Sequence, residues 1–247
     1  PWTRETLIDG GEYPSNITVG VDVGKSVNST VISVWRTEKT DDGNIARLLY
    51  LEEIGPKSGG HDIPYQRQRI MEVADSFNAA RVIIDATGIG GAVEQDIRVE
   101  CIPRSIHFLP FIFTGGPRGT KTYAYRDYVS FVQKNVIKVP NVEVQEGEAK
   151  KLMWKWYREH IDLTYIMDST QKTEKISAPN GKHDDYCDSS VMAVHSALAM
   201  LPVSASLTGA TIRKKNSASR PTRSGRSGLI STGRRSINPN RRFMKGI

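Results

Sequence analysis

The sequence predicts an α/β protein in which helices cover a mixed β-sheet. Near the start of the chain, three β-rich segments follow one another with short turns between them, which is typical of an antiparallel meander. Residues 81–85, Arg-Val-Ile-Ile-Asp, then form a short apolar run of the kind buried on both faces of a parallel sheet. The predicted order is three strands, a helix, a strand, a helix, a strand, two helices, two strands and a last helix.

Hydrophobic periodicity and turn signals place these elements along the chain. Strands are expected at 17–23, 29–36, 45–54, 81–85, 105–113, 163–167 and 175–177, and helices at 64–77, 92–99, 123–136, 146–160 and 184–200. Pro110 interrupts the fifth strand. Because proline cannot donate a ladder hydrogen bond, we expect that strand near an edge of the sheet.

The charge is distributed unevenly along the chain. Residues 203–247 hold 11 Lys and Arg and no Asp or Glu, whereas the remaining 202 residues hold 23 Lys and Arg against 27 Asp and Glu. We therefore expect a linker remnant at 1–16, one folded domain at 17–202 and a disordered basic tail at 203–247. The body has a net charge of −4, which argues against a domain that coats nucleic acid over its whole surface.

The composition also bears on the setting of the protein. The sequence has no apolar run of 18 residues and no signal peptide before Pro1, so we expect no membrane partner. Because the first residue is not Met, we expect an excised or processed fragment. Cys101 and Cys187 are far apart and lack metal-type spacing, which favours a reducing, intracellular setting.

Aspartates stand at the ends of predicted strands and at the start of the last helix. Asp22 ends the first strand, Asp85 ends the buried strand, and Asp184 and Asp185 open the helix at 184–200. If the two strands are neighbours, these side chains converge outside their carboxyl ends, where ligand sites commonly form. Several close carboxylates cannot all stay ionised without cations, and Mg²⁺ and Mn²⁺ prefer oxygen ligands. Two such ions, about 3.5–4 Å apart, serve phosphodiester cleavage.

Asp188 lies on the same helix face as Asp184 and Asp185, because it follows them by four and three residues. Each aspartate alone also has an ordinary explanation. Acidic residues at a helix N-terminus complement its dipole, and an aspartate at a strand end is often a turn or capping residue. The combination of all of them, in this order and on these elements, is more specific for a metal site.

Three motifs together resemble the C-terminal nuclease domain of tailed-bacteriophage large terminase subunits: Gly20-Val21-Asp22-Val23-Gly24, Ile84-Asp85-Ala86-Thr87-Gly88-Ile89-Gly90, and His183-Asp184-Asp185 followed by Asp188. The resemblance spans roughly residues 17–201. It implies an RNase H-like fold and a metal-dependent endonuclease that cuts concatemeric phage DNA during genome packaging. It places two Mg²⁺ or Mn²⁺ ions on Asp22, Asp85 and the Asp184/Asp185 pair, with Asp188 a ligand in some relatives and not in others.

The resemblance also implies partners and a location. They are double-stranded DNA, the portal protein, the small terminase subunit and the host cell cytoplasm. The packaging ATPase that precedes the nuclease in this family is absent from this chain, which agrees with an excised domain. Residues 163–181 correspond to a family hairpin that can crowd the site and touch DNA. For the tail, DNA attraction through its charge and docking to the portal both stay open.

Two basic segments have alternative interpretations. Residues 150–158 mix bases with aromatic residues and could grip a nucleic-acid backbone. They could equally form a helix with Leu152, Met153 and Trp156 in the core and solvated bases. Arg118, Lys121 and Arg126 could contact phosphate or lie in a solvated loop.

Other residues in and near the motifs give weaker indications of function. His183 could carry protons, orient Asp184 or cap the helix, and Cys187 is expected to pack as a small hydrophobic residue. The segment from Gly20 to Ser26 resembles a phosphate-binding P-loop, but its glycines are separated by three residues instead of four.

Three other functions remain open at this stage. A different RNase H-like nuclease, such as a Holliday-junction resolvase or an integrase-type enzyme, would share the carboxylates. A sugar-kinase or actin-like ATPase would need a duplicated fold, for which about 200 residues are too few. A non-enzymatic module could hold DNA or a capsid partner while the carboxylates are merely structural.

Overall fold

The computed structural model describes residues 16–24, 28–55, 62–87, 91–114, 120–167 and 174–198. The expected tail, Arg118, Gly88 and Gly90 lie outside these ranges, as does the expected linker apart from Asn16. The domain boundaries therefore stay predictions. None of the helices in these ranges has the length and apolar character that a membrane crossing requires.

The described chain forms five α-helices and eight strands. The strands are β1 (Ile17–Asp22), β2 (Thr30–Thr40), β3 (Gly43–Ile54), β4 (Arg81–Asp85), β5 (His107–Phe111), β6 (Ile137–Lys138), β7 (Thr164–Met167) and β8 (Glu174–Ser177). The helices are α1 (Ile63–Ser76), α2 (Gly91–Cys101), α3 (Thr120–Gln133), α4 (Gly147–Asp162) and α5 (Asp185–Leu198).

Six strands form one mixed sheet in the order β5-β4-β1-β2-β3-β6. The pairs β1/β2 and β2/β3 are antiparallel, whereas β1/β4, β4/β5 and β3/β6 are parallel. The remaining strands β7 and β8 form a separate antiparallel hairpin. The predicted fold class is therefore confirmed, together with the meander, the edge position of β5 and the hairpin.

The structure also differs from the prediction in detail. The short strand β6 was not predicted, because two residues give no periodic signal. The strand β2 continues to Thr40, and α3 begins at Thr120 instead of Tyr123. The earlier start of α3 places Lys121 in the first turn of a helix, whereas the sequence suggested a loop.

Alternating side chains on the strands build one core on each face of the sheet. Val82 and Ile84 of β4 belong to a core that also contains residues of α1 and α2. Ile83, between them, belongs to the core on the other face, which contains residues of α3, α4 and α5. This alternation is what a strand buried on both faces requires.

The helix α5 packs directly onto β1 at Gly20. A Cβ atom at Gly20 would lie 2.2 Å from the carbonyl oxygen of Ser189 and 2.8 Å from the Cβ of Ala193. Real side chains do not approach backbone this closely, so only glycine fits without displacing the helix. The residues of α5 that face the sheet are almost fully buried, among them Val191 and Ala193. The position of α5 therefore depends on the missing side chain at Gly20.

We predict that Gly20→Ala lowers the free energy of unfolding by about 1–3 kcal/mol, because the added methyl group overpacks the contact between β1 and α5. Gly55→Ala is a matched control, since no heavy atom lies within 4 Å of a Cβ at Gly55. Urea denaturation of both variants would measure the difference. Equal stability of the two variants would contradict this account of the packing.

Candidate active site

The sheet places two of the predicted aspartates side by side. The strands β1 and β4 run parallel, with Val21 paired to Ile84. Asp22 and Asp85 are the next residues, so both carboxylates leave the sheet at the same edge. The expected adjacency of the two strand ends is confirmed. Asp85 also accepts a hydrogen bond of 2.7 Å from the Thr87 N–H, which fixes the turn after β4.

The first turns of α5 bring further carboxylates to this edge. Burial raises the pKa of Asp22 well above its ordinary value, and the nearby carboxylates of Asp188, Asp185 and Asp85 raise it further. Burial likewise raises the pKa of Asp185 and that of Asp188 to about 6 each. Four of the five predicted aspartates thus influence one another electrostatically. Among the three that act on Asp22, Asp188 has the largest effect.

Asp184 joins this group through Lys121 of α3. The Lys121 ammonium lies 3.0 Å from the Asp184 carboxylate and 2.7 Å from that of Asp188. Burial acts to lower the pKa of Lys121, but Asp188 and Asp184 outweigh it, so that pKa lies above its ordinary value. Asp188 also accepts a hydrogen bond of 2.5 Å from the Tyr125 hydroxyl. Lys121 is therefore a cation that already occupies the edge of a carboxylate cluster.

Neither sequence interpretation of Lys121 anticipated this contact. It lies on a helix, not in a solvated loop, and its ammonium bonds to carboxylates. Sixty-three residues separate Lys121 from Asp184, so a local pattern could not pair them. The aromatic residues Phe113 and Tyr125 lie beside the ammonium, at 5.0 and 5.5 Å from it to their ring centroids.

A glutamate of α4 caps the N-terminus of α5. The Glu159 carboxylate accepts a hydrogen bond of 2.7 Å from the Tyr186 N–H, and it also accepts from the Cys187 N–H. These are amide groups that lack a partner within the helix. The alternative in which Asp184 and Asp185 only complement the helix dipole is weakened, because the Asp184 carboxylate bonds to Lys121 while Glu159 caps the helix.

A second contact holds the same turn of α5 from the side of β3. The Tyr186 hydroxyl donates to Glu53 at 3.0 Å, and Ser29 donates to the other oxygen of Glu53 at 2.9 Å. Lys155 of α4 pairs with Glu53 as well. The start of α5 is thus fixed by groups from α4, β3 and the segment before β2.

The other candidates near the site have mixed outcomes. His183 is exposed, with its ring 3.9 Å from the Asp185 carboxylate. Cys187 is fully buried, as predicted. In the segment 150–158, Met153 and Trp156 lie in the core as the second interpretation predicted, whereas Leu152 is only partly buried against it. The basic side chains face outward. Arg126 lies on the exposed side of α3.

His160 received no role from the sequence, yet it supports the packing around α5. Its ring stacks on Trp156 at 3.8 Å, and its Nδ1 lies 2.7 Å from the Trp156 carbonyl, to which it donates. Its Nε2 therefore accepts from the Tyr128 hydroxyl at 3.0 Å. Burial lowers the pKa of His160 to about 4, so the ring is neutral at pH 7. Trp156 in turn donates to Ser190 of α5.

The donor set suits a hard divalent cation. Within the described ranges, no three His, Cys, Asp or Glu side chains are already gathered tightly enough to enclose a metal ion. The group nevertheless consists of carboxylate oxygens, which Mg²⁺ and Mn²⁺ prefer, and it has five carboxylates against one lysine. The raised pKa values of Asp22, Asp185 and Asp188 arise first from burial and then from neighbouring carboxylates, and a bound cation would favour the ionised forms.

We predict that Glu159→Ala lowers the free energy of unfolding by about 0.5–2 kcal/mol, because the N–H groups of Tyr186 and Cys187 lose their acceptor. Glu159→Gln keeps an acceptor oxygen and should lose less. Glu148→Gln is the control, since Glu148 lies exposed on the same helix. Denaturation of these variants by urea would test the capping role.

We also predict that the difference in stability between Glu159→Gln and the wild type depends on pH. Burial raises the pKa of Glu159 to about 7, so the folded state holds its proton more tightly than the unfolded chain, whose glutamate pKa is about 4.3. The stability of the wild type should therefore fall as the pH rises from about 4.3 to 7. In EDTA, Glu159→Gln should gain stability relative to wild type between pH 5 and 8. A difference in the free energy of unfolding between the two proteins that stays constant from pH 5 to 8 would contradict the raised pKa of Glu159.

Comparison with known proteins shows similarity in structure alone. No family model and no curated protein sequence matches the chain. The large terminase nuclease of the thermophilic phage G20c, solved with bound magnesium, is 19% identical with a TM-score of 0.51, and the match covers 72% of this chain and 79% of that one. The nuclease domain of the large terminase subunit gp2 of bacterial virus Sf6 is 13% identical with a TM-score of 0.57, covering 78% and 96%.

A mutant of the Sf6 nuclease domain with manganese gives a similar match, with 12% identity, a TM-score of 0.55 and coverage of 78% and 93%. At these identities the likeness concerns the fold. These matches to terminase nuclease domains agree with the resemblance that the motifs indicated. The chain has the RNase H-like fold of the nuclease domains of phage large terminase subunits.

Proposed function

We propose that this protein is a metal-dependent DNA endonuclease. The observation that carries the proposal is the convergence of Asp22, Asp85, Asp185 and Asp188, from two parallel strands and one helix, at one edge of the sheet. Asp184 is linked to this group because its carboxylate and that of Asp188 both contact the Lys121 ammonium. The fold shared with terminase nuclease domains and the metals in the G20c and Sf6 structures support the same conclusion.

In this proposal the carboxylates hold two Mg²⁺ or Mn²⁺ ions. Asp22, Asp85, Asp184 and Asp185 would be the main ligands, and Asp188 would be a further ligand or would hold Lys121 in place. Bound divalent cations would activate water for attack on the phosphodiester and stabilise the leaving oxygen. Asp22 and Asp85 fix the ligand positions from the sheet, which is more rigid than a loop. The Lys121 ammonium neutralises part of the carboxylate charge while the metals are absent.

The reaction we propose is direct hydrolysis without a covalent enzyme intermediate. The converging groups are carboxylates, which bind cations and accept protons. Together with the fold, the sequence motifs support cleavage of concatemeric phage DNA during genome packaging. In that setting the protein would act in the host cell cytoplasm with the portal protein and the small terminase subunit.

We predict that the protein nicks and linearises plasmid DNA with Mn²⁺ or Mg²⁺ and not with EDTA. Asp22→Ala and Asp85→Ala should each lower the cleavage rate by at least about a hundredfold, because loss of one ligand disrupts the metal geometry that the reaction needs. Agarose gel assays over time would measure the rates.

Asp42→Ala is the matched control for these variants. Asp42 lies in the turn between β2 and β3, at the end of the sheet opposite to Asp22, and should retain full activity. Wild-type cleavage that persists in Asp22→Ala would sink the assignment of the site. An absence of cleavage with every metal would favour the binding module, and a preference for branched junctions over linear duplex would favour a resolvase.

A further inference from the structure

The outer side of α4 carries basic and aromatic side chains that the proposed chemistry does not use. Lys151, Trp154, Lys155 and Arg158 follow one another at spacings of three, one and three residues, so they lie on one face of the helix. The side chains of Lys151 and Lys155 are 73% and 53% exposed, and Trp154 is 45% exposed. Arg158 is exposed as well. We call these four residues the α4 basic face.

The α4 basic face leads directly to the candidate active site. A cleft of about 270 Å³ is lined by Lys155 and Arg158 from α4 and by Asp185 from α5. Asp185 belongs to the proposed metal ligands. A DNA strand whose scissile phosphate lies at these carboxylates would therefore have its neighbouring phosphates beside Lys155 and Arg158.

The positive charges of this face are available to a ligand. Arg158 makes no ion pair or hydrogen bond with any residue in the described part of the chain. Lys151 pairs at 3.1 Å with Glu148, one turn earlier on the same helix, and both side chains are at least 70% exposed. Such exposed pairs contribute little to stability and can exchange for a phosphate. Lys155 pairs with Glu53 but remains half exposed.

The opposite face of the sheet shows a different arrangement. The arginines on and after α1 and α2 are paired with acidic residues there: Arg67 with Glu100, Arg69 with Glu52, Arg98 with Glu94 and Arg104 with Asp75. Their charges are compensated within the protein. Unlike these arginines, Arg158 of the α4 basic face has no acidic partner among the described residues.

Two of the four acidic residues that line the cleft are compensated by partners within the protein. Glu53 is bonded to Ser29, Tyr186 and Lys155, and Asp162 lies 3.5 Å from the Lys182 ammonium. They therefore repel a phosphate less than free carboxylates would. Arg158 can bind a phosphate without first breaking an ion pair, because it has no such partner among the described residues.

We propose that the α4 basic face binds the phosphate backbone of the DNA strand next to the cleavage site, with Arg158 and Lys155 as its main contacts. The proposal rests on the endonuclease function for its substrate. Lys and Arg contacts to phosphate position a nucleic acid without reading its sequence. The exposed indole of Trp154 adds a flat surface for a sugar or an unpaired base.

The test is the salt dependence of DNA binding by the full chain in EDTA, which prevents cleavage. Fluorescence anisotropy with a labelled 30-base-pair duplex, between about 50 and 200 mM salt, gives the slope of log K against log salt. Each lost phosphate contact should reduce the steepness of that slope by about 0.9. We expect a reduction of about 0.9 for Arg158→Ala and up to about twice that for Lys155→Ala with Arg158→Ala.

Two variants serve as matched controls. Lys134→Ala with Lys138→Ala removes the same charge from the region around β6, away from the cleft, and should leave the slope nearly unchanged. Arg158→Lys keeps the charge and should retain the wild-type slope. The tail at 203–247 is identical in all variants, so its contribution to binding cancels in the comparison.

Equal slopes for the α4 variant and the Lys134/Lys138 control would overturn the proposal. Cleavage kinetics give a second criterion, because loss of a binding contact should raise KM for DNA with kcat nearly unchanged. A fall in kcat with an unchanged slope would assign Arg158 to the integrity of the site and also overturn it. A wild type that binds DNA through α4 without cleaving it would instead refute the endonuclease function and leave the surface in place.

Discussion

The contact between α5 and β1 at Gly20 is the constraint on which the candidate site depends. The sheet alone delivers Asp22 and Asp85 to one edge. The carboxylates of α5 reach the same edge because the helix backbone lies against a strand residue that has no side chain. With a helix held a few ångströms further away, Asp185 and Asp188 would lie too far out to act with the strand residues. The geometry of the site is therefore fixed by packing before any metal binds.

This packing carries an electrostatic cost, and the structure shows how it is offset. Several carboxylates share a partly buried edge, which raises the pKa of Asp22, Asp185 and Asp188. Lys121 neutralises part of that charge, and Glu159 takes over the capping of α5. The remaining excess of negative charge disfavours the folded state, and the divalent cations that we propose would relieve it. The same repulsion thus opposes folding and would favour the proposed metal binding.

The sequence predicted the parts of the candidate site that depend on neighbouring residues in the chain. It missed those that depend on contacts between residues far apart in the sequence. Asp22 and Asp85 were found because each ends an apolar strand, and β4 was predicted with its observed bounds. The carboxylate contacts of Lys121 and the capping role of Glu159 were not predicted, because their partners are 63 and 27 residues away and no periodicity links them. The contact at Gly20 was not predicted, since the approach of α5 is visible only in three dimensions.

The helix α4 contributes both to the position of the carboxylates and to the proposed DNA contact. Its inner side holds the start of α5 through Glu159 and packs Trp156 against it, so it helps to fix the carboxylates. Its outer side presents Lys155 and Arg158 to solvent beside the same cleft. A backbone phosphate bound on the outer side would therefore be placed relative to the metal ligands by one rigid helix. In a body with a net negative charge, such a local cationic face would favour the approach of DNA to the acidic site, as we propose.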